Sequence, residues 1–404
     1  MRLGRDIGHL SYSTLVHASD TWEELRRSLL TYVPKVKALV SPNSSFGVSL
    51  RLSSASAERL NQDTAARRDL VRILEDNDLY VYTANAFPYG SFKRSTVKER
   101  VYEPDWLTEE RLRYTGLVAD LLAILAPSDV EPSIQSAPLA FRPAVRDRDY
   151  VAGMTDMVLR MVAHLTALHD RTGRVVTLAL EPEPFCYLES TDETIQFFDE
   201  YIRTPASVAR LAEMTALDED GAQASLRRHL GVVFDIGHQS VGFEDAVVSL
   251  TKLRESDVPI FKLQEAAALW VPEVNQAAIK ELERYARSIY LTQTTELSEG
   301  TRHQYLNLED AIENWLSEPK PAEWRVHFHV PVFLDELGPF RSTRFAIEEA
   351  LAMHRATPLS THLEIETYTW DVLPPHLKTG DIIEYVGREL EWVLGQFDPA
   401  APAP

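Results

Sequence analysis

Short runs of β-branched and aromatic residues alternate with longer amphipathic segments from one end of the chain to the other. The runs predict strands at residues 9–17, 46–53, 79–87, 133–141, 175–181, 231–235, 260–264, 324–330 and 361–368. Between them, apolar residues at three- and four-residue spacing predict helices at 20–39, 55–76, 108–126, 147–171, 192–214, 272–287, 308–316, 341–355 and 380–396. Strands that alternate with helices are typical of repeated βα units and therefore of parallel strands.

This pattern predicts an α/β fold, a (β/α)8 TIM barrel. The chain of 404 residues is long enough for one barrel with insertions, because such barrels commonly need about 250 residues. The nine strand candidates exceed the eight strands of a barrel by one. We therefore expect one of 133–141, 260–264 and 324–330 to lie at the rim or outside the ring, and the pattern leaves open which one.

The sequence has no internal repeat and no shift in composition that marks a linker. We expect a single barrel domain over residues 1–397 and a disordered tail, DPAAPAP, at 398–404. Two stretches, 88–107 and 288–307, are too long to be plain connections. Each is a candidate for a loop that covers a site, and an ordinary surface loop is the alternative.

Charge and composition limit the classes of function. The formal net charge is −20, whereas nucleic acids and anionic membranes are bound by clusters of Lys and Arg. Apolar runs stay shorter than the roughly 20 residues of a membrane span, and Asp6 and His9 interrupt the N-terminus where a signal peptide is apolar. Cys186 is the only cysteine, so a metal site must use oxygen and imidazole ligands. We expect a cytoplasmic protein that binds neither nucleic acid nor membrane.

Carboxylates end two of the predicted strands. In a barrel of parallel strands the active site lies at the carboxyl ends of the strands, so polar residues at those ends are informative. Glu181 ends VVTLAL and is followed by Pro182, which cannot donate a hydrogen bond to a neighbouring strand. Glu183 has the same facing two residues later. Asp235 ends GVVF, and His238 lies on the turn that follows it.

Two later strands carry pairs of titratable residues. His327 and His329 share one face of WRVHFHV, and Glu364 and Glu366 share one face of THLEIETY. In each pair the second residue is nearer the end of the strand. We therefore expect His329 and Glu366 to reach the barrel mouth.

These strand ends together predict a metal site. Buried carboxylates are costly unless they are paired or bind a cation, and carboxylates with an imidazole suit a divalent metal ion. An oxygen-rich set favours Mn, Mg or Co, and Zn is also compatible. For any one residue taken alone, the alternative is a hydrogen-bonded side chain at a strand end or an ion pair. The predicted metal ligands are Glu181, Asp235, His238, His329 and Glu366.

Other side chains are weaker candidates. Lys262 can polarise a carbonyl as a catalytic group, but a lysine in a barrel also neutralises neighbouring carboxylates. His17 is either a ligand or part of a helix cap, and an amide such as Asn85 suits a polyol but also packs in cores. The predicted substrate-binding residues are His17, Asn85, Glu183, Gln264 and His327. The predicted catalytic residues are Glu181, Glu366 and Lys262.

The order of these motifs resembles the xylose isomerase-like barrel superfamily of sugar isomerases and epimerases. The shared order is Glu at one strand end, Asp-x-x-His at the next, then a His strand and a final Glu strand, and EYVGRELEWVLGQF is similar to the last helix of that superfamily. HLSYSTLVHASDTW, FPYGSF, VKERVYEPDW, VHFHVPVF and HLEIETYTWDVLP also resemble the EboE family of metabolite-traffic proteins, over nearly the whole chain.

The superfamily resemblance implies a metal held by Glu181, Asp235, a histidine and Glu366, with the two glutamates also acting as acid and base beside a carbonyl. The sequence departs from that pattern at one point. The strand after Asp-x-x-His normally supplies the histidine, but here it reads IFKLQEAA, with Gln264. Either His329 or His238 then supplies the ligand, or the site has lost its metal. The EboE resemblance implies a sugar-like or cyclitol-like metabolite and pathway partner proteins.

Three hypotheses of function follow. The first is a metal-dependent isomerase or epimerase of a polyhydroxylated ketone, sugar or cyclitol, motivated by the paired glutamates. The second is a binding protein that hands a metabolite to partners, motivated by Gln264 in the histidine position. The third is a metal-dependent endonuclease, which the charge of −20 disfavours.

Overall fold

The computed structural model describes residues 1–4, 7–93, 96–286 and 288–397. The strands, numbered in chain order, are β1 (His9–Tyr12), β2 (Phe46–Arg51), β3 (Leu79–Asn85), β4 (Ser133–Ser136), β5 (Thr177–Leu180), β6 (Leu230–Asp235), β7 (Ile260–Glu265), β8 (Ala267–Val271), β9 (Thr294–Ser298), β10 (Thr301–Tyr305), β11 (Glu323–Val330), β12 (Glu336–Leu337), β13 (Phe340–Ser342) and β14 (His362–Ile365). The helices are α1 (Trp22–Thr31), α2 (Val33–Val40), α3 (Ser54–Gln62), α4 (Thr64–Asp76), α5 (Glu109–Leu125), α6 (Arg148–Thr172), α7 (Thr191–Phe197), α8 (Pro205–Thr215), α9 (Glu219–His229), α10 (Ile236–Val241), α11 (Ala246–Glu255), α12 (Gln276–Ala286), α13 (Leu308–Ser317), α14 (Arg344–Ala356) and α15 (Ile382–Gly395). The tail at 398–404 lies outside the described residues, so its disorder stays a prediction.

Eight parallel strands in the described part of the chain form a ring. Their hydrogen-bonded order is β1-β14-β7-β6-β5-β4-β3-β2, and each neighbouring pair is parallel. A parallel bridge between Ser13, directly after β1, and Ser49 in β2 closes the ring. β2 and β6 are buried at every position, because side chains fill the inside and helices cover the outside. The predicted (β/α)8 TIM barrel is confirmed.

The ninth strand candidate lies in a second sheet. Among the described residues this sheet is antiparallel, with the order β10-β9-β11-β8-β13-β12. All of its strands lie between β7 and α14 in the chain, and we call residues 267–342 the insertion. The candidates 133–141 and 260–264 contain the barrel strands β4 and β7, whereas 324–330 lies in β11, outside the ring.

Several elements were not predicted from the sequence. The hairpin of β9 and β10 is polar, and β10 is exposed at four of its five positions, so it has no alternation of apolar and polar residues. Helix α11 buries Ala246, Leu250 and Leu253, but exposed Val247 and Val248 obscure its period. Helix α9 was also missed, and the helix predicted at 192–214 is divided into α7 and α8 by a π-helical turn.

Helix α6 is long and apolar enough to cross a membrane by length and composition. More than half of its apolar stretch, 56%, is buried inside the protein. Its buried residues recur at three- and four-residue spacing, from Val151 to Leu168, which is the pattern of a helix with one face on a core. We therefore describe α6 as a helix of the outer layer of the barrel.

Polar side chains fill the inside of the barrel in layers. His362 Nδ1 lies 2.8 Å from Ser133 Oγ in one layer. In the next layer, Lys262 Nζ donates to Glu364 Oε2 at 2.9 Å. Residues two apart on a strand point to the same side, so Gln264 on β7 and the residue after β14 form a further layer towards the carboxyl ends of the strands. That layer is the floor of the candidate site.

Candidate active site at the barrel mouth

Three carboxylates surround one amide nitrogen at the barrel mouth. Gln264 Nε2 lies 2.9 Å from Glu181 Oε1, 2.7 Å from Asp235 Oδ2 and 2.8 Å from Glu366 Oε2. All four side chains are almost completely buried. An amide NH2 group has two protons to donate, so three acceptors share two protons.

Strand ends place these carboxylates. Glu181 follows β5, and Glu366 follows β14 by one position. Asp235 is the last residue of β6 and the N-cap of α10, where its Oδ1 accepts a hydrogen bond from the backbone N–H of His238 at 2.9 Å. The side chains at these strand ends therefore converge, as the sequence predicted.

Burial and mutual repulsion keep protons on this cluster. Burial raises the pKa of Glu181 well above its usual value, and the charges of Glu366 and Asp235 raise it further. The pKa of Glu366 is also raised well above its usual value, first by burial and then by the charges of Glu364 and Asp235. Carboxyl groups this close do not all ionise together, so one of them holds a proton while another is charged.

The second oxygen of each glutamate is also held. Gln135 Nε2 donates to Glu181 Oε2 at 2.6 Å, and Asn85 Nδ2 donates to Glu366 Oε1 at 3.0 Å. Lys262 Nζ in turn donates to Gln135 Oε1 at 2.7 Å. Lys262 is fully buried in the layer below and is not among the described residues that line the pocket, so its catalytic role stays a prediction.

Three imidazoles meet beside the carboxylates. The Nε2 atom of His327 lies 3.2 Å from Nε2 of His238 and 3.2 Å from Nε2 of His329. His238 belongs to the barrel, on the turn after β6, whereas the other two lie on β11 of the insertion. The shared facing of His327 and His329, two residues apart on one strand, is therefore observed.

Each of these rings has its other nitrogen against a carbonyl oxygen. Nδ1 of His238 lies 2.9 Å from the backbone oxygen of Pro182, and Nδ1 of His329 lies against the backbone oxygen of Glu366. A carbonyl oxygen only accepts hydrogen bonds, so each Nδ1 carries the proton. The Nε2 atoms of these two rings then carry lone pairs.

The third ring is oriented by a side-chain amide. His327 Nδ1 lies 2.9 Å from Gln293 Oε1. Gln293 Nε2 faces the hydroxyl of Tyr102 at 2.9 Å and also Glu183 Oε1 and the carbonyl of Pro184, both at 3.4 Å. These acceptors require a donor, so they fix the orientation of the amide with its oxygen towards His327.

Burial also disfavours a positive charge on the two rings of the insertion, His327 and His329. It lowers the pKa of His327 well below its usual value, with further lowering by His238 and His329. Burial lowers the pKa of His329 to about 4. Both rings are neutral at neutral pH.

The described residues fit a divalent cation in two overlapping groups of donors. One group is Glu181, Asp235 and His238, the other is the three histidines, and within each group the donor atoms lie within 4.8 Å of one another. His238 Nε2 has a single lone pair and lies 3.8 Å from Asp235 Oδ2, which is farther than it lies from His327. At the carboxylates, the Gln264 amide holds the position that a shared ion would take, so the ligand role of Glu181 and Glu366 stays a prediction.

A pocket opens above this floor, and its empty space of about 540 Å³ includes open solvent. Its polar lining contains two of the three catalytic candidates, Glu181 and Glu366, together with Asn85, Gln135, Glu183, His238 and His327. Its walls are mainly apolar and are lined by Leu15, Phe87, Phe92, Val101, Tyr290 and Leu291. The stretches 88–107 and 288–307 both contribute wall residues, as their prediction as site-covering segments requires.

Of the remaining predicted residues, Glu183 is among the described residues that line the pocket and His17 is not. Glu183 lines the pocket and accepts a hydrogen bond from the Tyr102 hydroxyl at 2.8 Å. His17 stacks on Tyr32 with ring centroids 4.2 Å apart and lies 3.0 Å from the Tyr12 hydroxyl. It is not among the described lining residues, so its substrate role stays a prediction.

Gln135, Tyr102 and Gln293 were missed by the sequence reasoning. Gln135 lies in β4, which ends at Ser136, whereas the predicted strand ran to 141 and so hid its position near a strand end. Gln293 directly precedes β9, an element that was not predicted. Tyr102 lies within the long stretch 88–107 and had no pattern that singled it out.

No protein-family model and no curated protein matches the chain. Solved structures that are similar to it include a xylose isomerase-like TIM barrel protein from Mycobacterium smegmatis in complex with magnesium, at 11% identity and a TM-score of 0.45, covering 93% of this chain and 89% of that chain. The IolI protein with a bound zinc atom is similar at 11% identity and a TM-score of 0.48, covering 97% and 99%. A 3-keto-D-glucoside 4-epimerase from E. coli is similar at 12% identity and a TM-score of 0.40, covering 96% and 98%. Similarity this distant says nothing about the reaction, and the barrel is established by the strand order itself.

Proposed function

We propose that the protein is an isomerase or epimerase of a polyhydroxylated ketone, sugar-like or cyclitol-like, that moves a proton next to a carbonyl through an enediolate. The observation that carries the proposal is the pair Glu181 and Glu366. Both line one pocket, and both accept a hydrogen bond from the same nitrogen of Gln264. Two carboxyl groups held around one point are placed to serve two faces of one carbon.

The raised pKa values of this pair suit acid–base work. The ionised glutamate removes the proton from the substrate carbon, and the protonated glutamate returns a proton to the opposite face. In an epimerisation the two groups exchange protonation states, so one turnover moves a proton from one glutamate to the other. Gln135 and Asn85 hold the outer oxygens, which fixes the direction in which each carboxyl group acts.

A divalent metal ion, Mn, Mg, Co or Zn, would polarise the substrate carbonyl when bound. His238 is common to both donor groups that fit such an ion. The presence of such an ion, and the dependence of the reaction on it, are part of the proposal.

The substrate and its pathway are also proposed here. A small polyhydroxylated metabolite suits the floor, where amide, carboxyl and imidazole groups lie at the bottom of the pocket. The placement in an EboE-type metabolite pathway with partner proteins is supported by the sequence segments alone, and a cytoplasmic location is part of the same proposal.

Exchange of carbon-bound hydrogen in deuterated water tests the proposal. The ion-loaded protein is incubated with a panel of ketoses and inososes, and deuterium on carbon is measured by NMR. Glu181→Gln and Glu366→Gln are each expected to slow the exchange at least about 100-fold, the usual contribution of one general acid or base. Glu389→Gln is the matched control, because Glu389 is buried but lies outside the pocket lining. Absence of exchange across the panel would contradict the proposal.

A binding protein is the second candidate. Gln264 favours it, because its amide nitrogen already lies within hydrogen-bond distance of all three carboxylates. Tight binding of a panel member that is recovered unchanged and undeuterated would support this role, whereas multiple turnovers would remove it.

A further inference from the structure

The three imidazoles at the barrel mouth bring their Nε2 atoms close together. His238, His327 and His329 each commit Nδ1–H to an oxygen acceptor. When none of the rings carries a second proton, the Nε2 lone pair of His327 faces those of His238 and His329 at 3.2 Å. Neutral nitrogen lone pairs in contact repel each other. Burial excludes the bulk water that would otherwise donate hydrogen bonds to them.

We propose that His238, His327 and His329 form a three-imidazole site for one divalent transition-metal ion, separate from the carboxylate cluster. A cation at the point where the lone pairs meet converts their repulsion into three bonds. The oxygens of Pro182, Gln293 and Glu366 then accept the Nδ1–H hydrogen bonds and so fix each ring in the tautomer that binds a metal through Nε2.

The separations of the ring nitrogens can be compared with those of nitrogen ligands around a tetrahedral metal ion. Nitrogen ligands about 2.0–2.1 Å from a tetrahedral ion lie about 3.3 Å from one another. Two of the three separations are 3.2 Å, and the third pair of nitrogens lies within 4.8 Å. An ion therefore needs at most a small closing movement of His238 and His329 towards each other.

Three imidazole ligands select the class of ion. Nitrogen ligands suit Zn, Co, Fe, Ni and Cu, whereas Mg and Ca prefer oxygen. This differs from the preference for Mn, Mg or Co that an oxygen-rich ligand set predicted. The site takes a transition-metal ion, and Mg²⁺ competes poorly for it.

The site has an open side. His238 and His327 both line the pocket, and Asp235 Oδ2 is the nearest carboxylate, 3.8 Å from His238 Nε2. Three protein ligands with a fourth position towards a pocket are typical of a catalytic metal rather than a structural one. The fourth position suits a water molecule or an oxygen of the ligand in the pocket.

The carboxylates and the imidazoles then have separate roles. The barrel carboxylates stay with Gln264 and remain free for proton transfer, while the ion lies on the side of the insertion. Metal binding at the imidazoles does not depend on the reaction proposed above, so the two are measured separately.

Cobalt titration of the full-length, chelator-stripped protein tests the site. One equivalent of Co²⁺ is expected to give the visible absorption of a nitrogen-ligated tetrahedral ion, and Zn²⁺ is expected to displace it. His327→Asn and His329→Asn are expected to weaken binding at least about 100-fold, beyond the roughly 10–100-fold loss that is usual when only the hydrogen-bond partner of a metal ligand is changed. His354→Asn is the matched control, a buried histidine whose ring nitrogens bind the backbone of Ile7 and Leu359.

Glu181→Gln distinguishes the two donor groups, because Glu181 belongs only to the group with the carboxylates. Binding that persists in Glu181→Gln and fails in His327→Asn supports the imidazole site. Binding that fails in Glu181→Gln and persists in His327→Asn assigns the ion to the carboxylates and overturns the proposal, as does a wild-type protein that binds no Co²⁺.

A measurement on the wild-type protein tests the site independently of whether the variants fold. Zn²⁺ is expected to shift the Nε2 resonances of three histidines together in a nitrogen-15 NMR spectrum and to leave their Nδ1 protons in place. Shifts in fewer than three rings would overturn the three-imidazole site.

Discussion

Lys262 shows how a buried charge is tolerated inside this barrel. It is fully buried, and its Nζ donates to Glu364 at 2.9 Å and to Gln135 at 2.7 Å. Such a pair adds little net stability, because desolvation offsets the attraction, but removing one partner leaves an unpaired buried charge. Through Gln135 the lysine also supports Glu181, so we describe it as a positioning residue.

We expect Lys262→Met to lower the free energy of unfolding by about 3–5 kcal/mol, because Glu364 is left without its counter-ion. The measurement is urea denaturation followed by circular dichroism. The double variant Lys262→Met/Glu364→Gln removes both charges and is expected to recover at least half of the loss. Equal losses in the single and double variants would contradict this explanation. A double variant that is stable but does not turn over would instead support a catalytic lysine.

At the scale of elements, β6 and β7 approach closely at Gly231. A Cβ atom there would overlap the backbone oxygen of Pro259 and lie 2.7 Å from the Phe261 ring. Asp235 is at the other end of the same strand. The glycine therefore permits the strand contact that sets the position of this carboxylate.

Gly231→Ala is expected to cost about 1–3 kcal/mol of folding free energy, because the overlap is with backbone and cannot relax cheaply. Gly395→Ala is the matched control, since no heavy atom lies within 4 Å of its added Cβ. Denaturant unfolding of both variants gives the comparison. A Gly231→Ala protein as stable as the control would mean that the strands separate without cost.

The barrel strands were predictable because their buried runs are short, apolar and separated by amphipathic helices. The insertion was not, because β10 is exposed and β8 directly follows β7 with a single residue between them. Pairing of β11 with β8 and β9 is set by contacts distant in the chain, which local pattern does not encode. The sequence could therefore name 324–330 as a strand without placing it.

The candidate site was predictable where a titratable residue ends a buried strand. Glu181, Asp235 and Glu366 are such residues, and they converge as the barrel requires. Gln264 was visible as the departure from the resembled pattern, but its donation to all three carboxylates depends on the curvature of the ring. The meeting of His327 with His238 depends on the insertion and had no local signal.

At the scale of the whole molecule, one buried carboxyl group on the last helix links stability to pH. Glu389 on α15 accepts hydrogen bonds from the Thr367 hydroxyl at 2.7 Å and from the backbone N–H of Val332 at 3.3 Å. Burial raises its pKa from 4.5 to about 8. Between these values the native state keeps a proton that the unfolded chain has released, so the free energy of unfolding falls as pH rises.

Glu389→Gln is expected to flatten this dependence, because the amide stays neutral and its oxygen accepts the same hydrogen bonds. The two proteins should unfold alike below pH 4.5, and the variant should be the more stable of the two at pH 8. Urea midpoints across that range give the measurement. Glu391→Gln, exposed on the same helix, is expected to follow the wild type. A variant that keeps the wild-type slope would show that Glu389 does not titrate in this window.

The insertion leaves the ring of eight strands complete without it, since β7 pairs directly with β14. An exchange of residues 267–342 for another segment would keep Glu181 and Glu366 and replace His327, His329 and Gln293, together with the pocket-wall residues Tyr290 and Leu291. The carboxyl pair of the proposed reaction and two of the three proposed metal ligands thus lie on segments that can be exchanged separately. A different insertion would then alter the proposed choice of ion, in evolution or in the laboratory, without disturbing the strands that hold the two glutamates.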